Sequence, residues 1–173
     1  QLDFMLEYDL RASCTDNTTP EESPIDSLNS IIGRIMFDNS NSSTIYRDEE
    51  DIVPQILTVD LAPGGTSTLV IERELIERIG GFDPQFPRHQ DFEFLIRLSK
   101  MTSIGYLNIE LVTKYNTSAP TPGEAIEAKR LLLNKFKDDV EKYKLQGYDI
   151  ADEHNFHLGL LYLKNNNLSN ALS

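Results

Sequence analysis

Apolar positions along this chain alternate between short dense runs and helical stripes, and polar stretches separate them. Leu2-Asp3-Phe4-Met5-Leu6-Glu7-Tyr8 is a short aliphatic and aromatic run that predicts a strand. The polar residues from Ser13 to Ser23 predict a loop. Ser23-Pro24-Ile25-Asp26 then opens a predicted helix, with Ser as N-cap, Pro at the first helical position and Ile31, Ile32 and Ile35 as its apolar face. After a polar stretch ending in Asp48-Glu49-Glu50-Asp51, Ile52 to Val59 is apolar and interrupted by Pro54, so its type stays open. The four acids lack the spacing and the glycine of a calcium loop and read as a solvated turn.

The pattern is most informative from residue 64 onward. Gly64-Gly65 breaks the chain, and Thr66 to Ile71 predicts a strand rich in β-branched residues. Glu72 to Ile79 predicts a short helix stopped by Gly80-Gly81, with Phe82 packing back on it. A turn through Asp83-Pro84 leads to Arg88-His89-Gln90-Asp91. A second helix follows, with Phe92, Leu95, Ile96 and Leu98 at helical spacing. Ile104 to Val112 predicts another strand. Thr121-Pro122-Gly123-Glu124 is a capping box opening a helix to about Tyr143, and a last helix spans about Asp152 to Lys164.

Composition narrows the function. A formal net charge of −12 opposes nucleic-acid binding, which depends on Lys and Arg neutralising phosphates, and opposes anionic lipid surfaces. No apolar run reaches the roughly 20 residues of a membrane span. The chain starts at Gln1 rather than Met, so the lack of a basic-then-apolar leader carries little weight. Cys14 is the sole cysteine, which fits a reducing, cytoplasmic setting. Asn-x-Ser/Thr triplets at Asn17, Asn41, Asn116 and Asn167 read as chance matches in an Asn- and Ser-rich chain.

The stretch Gly65-Thr66-Ser67-Thr68-Leu69-Val70-Ile71, its helix and Gly80-Gly81-Phe82-Asp83 resemble a recurrent segment of family 2 glycosyltransferases. Arg88-His89-Gln90-Asp91-Phe92-Glu93-Phe94-Leu95-Ile96-Arg97-Leu98 resembles that family's acidic motif, in which a Glu-Asp or Gln-Asp pair starts a helix. The likeness is good over roughly residues 60 to 115 and looser over 1 to 10. It implies an α/β fold: a partial GT-A mixed sheet with flanking helices over residues 1–118, and an α-helical C-terminal extension over 119–173. It implies Asp91 as the general base of an inverting transfer, taking the acceptor hydroxyl's proton as that oxygen attacks the anomeric carbon. Gly65, Thr66, Ser67, Arg88, His89 and Gln90 would line the sugar site. The implied partners are a nucleotide-sugar donor and a glycan, protein or lipid acceptor.

The family's nucleotide-binding half ends in Asp-x-Asp, which holds Mg2+ or Mn2+. This chain has no Asp-x-Asp. The resemblance therefore places donor site and metal ligands upstream of Gln1, with the isolated chain inactive.

Plainer readings accompany these. Asp91 can simply cap its helix, since an acid suits the positive end of the dipole. Glu93 pairs with it as Asp-x-Glu, and Arg97 reads as structural or as an ion-pair partner. His154 and His157 have metal-ligand spacing but no second ligand cluster. Leu158 to Leu172 resembles part of one tetratricopeptide repeat, a helical appendage that could dock a protein. The chain could thus be a non-catalytic interaction module, or an unrelated α/β domain.

Overall fold

The structure is a computed structural model, and it describes residues 1–18, 44–46, 49–58, 66–113 and 121–165. It is a mixed α/β fold in which helices flank a four-stranded sheet. The elements are α1 (Leu2–Glu7), β1 (Ala12–Thr18), β2 (Thr44–Tyr46), α2 (Glu49–Leu57), a 3-10 turn (Thr66–Thr68) and β3 (Val70–Ile71). They continue with α3 (Arg73–Ile79), α4 (Gln90–Ser99), β4 (Ile104–Thr113), α5 (Pro122–Lys135), α6 (Lys137–Leu145) and α7 (Ile150–Lys164).

The strands lie in the order β2-β4-β1-β3. β1 runs parallel to β4, with Ser13 opposite Gly105, and antiparallel to β3, with Ala12 opposite Ile71. β2 pairs antiparallel with the start of β4, Tyr46 opposite Ile104. Gly105 permits a close approach here: a Cβ on it would lie 2.7 Å from Phe4 Cε1 and collide with Leu10 Cδ1. The chain at α1 is thereby seated on the sheet.

Four expectations are corrected. Leu2 to Tyr8 is helical, not extended: the run holds no β-branched residue, and Leu, Met and Glu favour helix. Its Phe4 and Tyr8 rings meet one turn apart, centroids at 5.1 Å. The expected loop from Ser13 instead contributes most of β1, a central strand; the pairing on both sides outweighs weak local propensity. The strand expected over Thr66 to Ile71 shortens to Val70–Ile71, because Thr66–Thr68 close a 3-10 turn with Leu69 N–H donating to Thr66 O at 3.2 Å. The helix expected to reach Tyr143 breaks at Phe136, whose φ of −110° and ψ of 33° separate α5 from α6.

The open segment around Pro54 is helix α2, and Glu49–Asp51 form its first turn. The predicted helix after Ser23, Gly64-Gly65, three of the Asn triplets and the end of the repeat-like tail lie outside the described residues.

One core joins these elements. Ile52, Val53, Ile56 and Leu57 of α2 meet Phe94, Leu95, Ile96 and Leu98 of α4, together with Leu75 and Ile104. Leu132, Phe136, Tyr143 and Ile150 belong to the same cluster, so α5 and α6 share the core of the sheet-bearing part. The predicted capping box of α5 is present, Glu124 N–H donating to Thr121 Oγ1 at 3.3 Å and Thr121 N–H to Glu124 Oε2 at 2.8 Å. No described helix is long and apolar enough to cross a membrane.

Candidate functional site

The site is built on the segment from β3 to α4. Helix α3 ends in a left-handed turn, with Gly80 at φ 83° and Gly81 at φ 71°. Both amides donate to Ile76 O, at 3.0 and 3.2 Å. A side chain at either position would be strained, which is why the sequence carries two glycines here. Beyond it, Asp83 Oδ1 accepts from Gln85 N–H at 2.9 Å and Asp83 O from Phe86 N–H at 3.2 Å. This turn buries Phe86, and Gln90 Nε2 donates back to Phe86 O at 2.7 Å. His89 is the N-cap of α4 and sits at φ 59°, a left-handed conformation uncommon outside glycine.

An ion-pair network locks this segment. Glu93, on the first turns of α4, is fully buried. Its carboxylate accepts from Arg97 Nε at 2.5 Å and Nη2 at 2.7 Å, and pairs with Lys135 Nζ at 2.6 Å. Lys135 also reaches Asp83 Oδ2 at 2.6 Å. Arg97 donates in addition to Ile79 O and Gly81 O, each at 2.7 Å, and so satisfies carbonyls left open by the glycine turn.

The hydrogen bond from Lys135 holds the Asp83 carboxyl below its ordinary range. Burial pulls Lys135 down, but its bonds to Asp83 and Glu93 outweigh that, and the net shift is upward. Arg97 is thus an ion-pair partner, and Glu93 is closed off from any ligand. Nothing in the Asp-x-Glu spacing distinguished a buried pair from a solvated one. The signal was the cation one turn on, Glu93 to Arg97 at i, i+4.

On this frame Thr66, Phe82, Pro87, Arg88, His89, Gln90, Asp91 and Phe92 line one open cleft of about 460 Å³. Five sequence-predicted residues, Thr66, Arg88, His89, Gln90 and Asp91, thus meet at one place. Ser67 is exposed on the 3-10 turn and does not line the cleft. Gly65 lies outside the described residues. Asp91 occupies the first turn of α4, at the positive end of the helix dipole, and Oδ1 accepts from Phe92 N–H at 3.0 Å. The N-cap position itself belongs to His89, so Asp91 is not the residue that closes the helix start. Phe82 and Phe92 were not foreseen as lining residues. Phe82 does not pack back fully: it is 50% exposed, with its ring 4.8 Å from that of Phe94.

Behind the cleft, His89 also borders a smaller pocket of about 180 Å³ shared with Lys129, His154 and His157. Burial lowers the pKa of His89, opposed by the nearby Asp91 charge, so the imidazole is neutral at neutral pH, and its Nδ1 is buried without a hydrogen-bond partner. His154 is buried, its Nε2 lacks a hydrogen-bond partner, and the Leu57 backbone partners the imidazole. Burial first, then the charges of Lys129, His89 and His157, bring His154 down to about 4. Among the described residues no group of three or more His, Cys, Asp or Glu is arranged to hold a metal.

These shifts set an acid limit on stability. Above about pH 6.5 His154 is neutral folded and unfolded, with no effect. Between 6.5 and about 4 the unfolded chain takes up a proton that the folded one refuses, so stability falls with pH. The loss from His154 reaches on the order of 3 kcal/mol near pH 4. His89 and His157, also lowered by burial, add in the same direction. Urea unfolding at pH 7 and pH 4.5 should show a smaller difference in His154→Gln than in the parent. An equal difference in both would show that His154 does not titrate as described.

Compared with known proteins, the chain matches no protein-family model and no curated protein.

Proposed function

We propose that this chain is the acceptor-side part of an inverting GT-A glycosyltransferase resembling family 2, with Asp91 as general base. The observation that carries this reading is the convergence of Thr66, Arg88, His89, Gln90 and Asp91 on one open cleft. In it, the acceptor hydroxyl donates a hydrogen bond to the Asp91 carboxylate. The carboxylate takes the proton as the oxygen bonds to the anomeric carbon from the face opposite the leaving group. The bond to the nucleoside diphosphate breaks with its electron pair, and the configuration inverts. Gln90 and neutral His89 orient sugar hydroxyls, and Arg88 offers a cation to an anionic group of donor or acceptor. The rigid Phe82–Asp91 segment keeps the base in register with the acceptor, as positioned catalysis requires.

A divalent metal, Mg2+ or Mn2+, would stabilise the leaving diphosphate in such an enzyme. The described residues do not fit it: Glu93 is sealed between Arg97 and Lys135, and the sequence has no Asp-x-Asp. Its ligands and the nucleotide site are assigned to a part of the protein beyond these residues. The test is acceptor-dependent release of nucleoside diphosphate by the full-length protein, across a panel of nucleotide sugars and acceptors. Release that rises with acceptor supports the reading; no release with any pair opposes it.

A second reading, a non-catalytic interaction module, draws on Phe156 and Leu163, exposed apolar residues of α7.

A further inference from the structure

Next to the cleft lies a second depression of about 390 Å³, and its chemistry is different. Leu69, Val70, Ile71, Ile76, Phe82 and Phe94 make it mainly apolar. Thr66 and Phe82 line both spaces, so the groove continues the cleft rather than standing apart from it. Two of its side chains are open to solvent, Phe82 at 50% and Ile76 at 40%.

The exposure of Phe82 is built in. The ring leaves a turn of two left-handed glycines. Arg97 holds the carbonyl of the residue before it, and the Phe94 ring backs it at 4.8 Å. Lys135 grips Asp83, the residue after it. A large apolar side chain whose flanking residues are both held, and which is left half in water, presents a binding face, since its wetting is unfavourable.

We infer that the site takes an amphipathic acceptor, a sugar or alcohol hydroxyl carried on an apolar chain or ring. The hydroxyl lies in the cleft by Asp91 and the apolar part runs over Phe82 into the groove of Ile76 and Val70. This rests on the reading of the cleft given above and adds the substrate class. Among the described residues the lining of the groove includes no cationic side chain that would select an anionic headgroup, so the apolar part itself supplies the affinity. Each methylene that enters adds roughly fourfold.

The experiment is NMR titration of the 173-residue chain. Methyl β-glucoside is compared with octyl β-glucoside below its micelle concentration, in the parent and in Ile76→Asp. Ile76 is partly exposed, so the substitution leaves the core intact; Phe82→Ala serves as a second variant. Octyl glucoside should bind at least about tenfold more tightly than methyl glucoside. It should shift signals of Val70, Ile76 and Phe82 together with those of His89 and Asp91, and Ile76→Asp should remove most of the advantage.

Equal affinities, with shifts at Asp91 alone, would overturn the amphipathic acceptor and leave the cleft reading standing. Octyl-dependent shifts in the groove with none at His89 or Asp91 would overturn the proposal and the cleft reading with it. A concentration-dependent dimer abolished by Ile76→Asp would assign the groove to a second copy of the chain, and that too would overturn it.

Discussion

Replacing Arg97 by alanine is expected to cost the fold about 3–5 kcal/mol, a fall in Tm on the order of 10 °C. The substitution removes the fork that neutralises a fully buried carboxylate, Glu93, and strips donors from Ile79 O and Gly81 O. Lys135 alone remains to Glu93, and it is shared with Asp83. A buried charge with too few partners is among the most damaging single changes. The same physics predicts a partial rescue. In Arg97→Met/Glu93→Leu both charges are gone, so much of the loss should return even though two ion-pair partners are missing. Thermal unfolding of the two variants beside the parent checks this. A double variant as unstable as Arg97→Ala would show that the carbonyl contacts, not the buried charge, dominate.

The network also explains which parts of the architecture were legible in the sequence. Helices α3 and α4 were readable from helical apolar spacing and from the glycine stop that ends α3, and strand β4 lies where it was expected. Thr121 and Glu124 announced the start of α5 in the same way. The first eighteen residues were not. A six-residue helix is too short to display a stripe, and β1 takes its strand character from pairing with β4 and β3 rather than from its polar residues. The break at Phe136 was equally hidden, since the apolar stripe runs on through it.

At the site, the grouping of the polar residues was readable, and the aromatic lining and the ion-pair frame behind it were not. The motif around Asp91 singled out Arg88, His89 and Gln90, neighbours in sequence. The resemblance groups Thr66 with them at one sugar site, and they do line one cleft, but the outward turn of Phe82 comes from the fold alone. Lys135, more than fifty residues from Asp83 in the chain, could be tied to the motif only through packing.

The central claim is that Asp91 is the base. Asp91→Asn is nearly isosteric and keeps an oxygen able to accept from Phe92 N–H, so the helix start and the cleft should survive. What it loses is the ability to take a proton, worth about a hundredfold or more in kcat for general base catalysis. Donor affinity should hold, because the carboxylate is assigned to the acceptor hydroxyl and not to the diphosphate.

The decisive measurement is therefore kcat for acceptor-dependent transfer by the full-length protein, wild type against Asp91→Asn, at saturating donor with manganese present. A fall of about a hundredfold or more, with the donor's dissociation constant unchanged, is the predicted result. Turnover within about twofold of wild type would contradict the account and leave Asp91 as no more than a favourable charge at the start of α4.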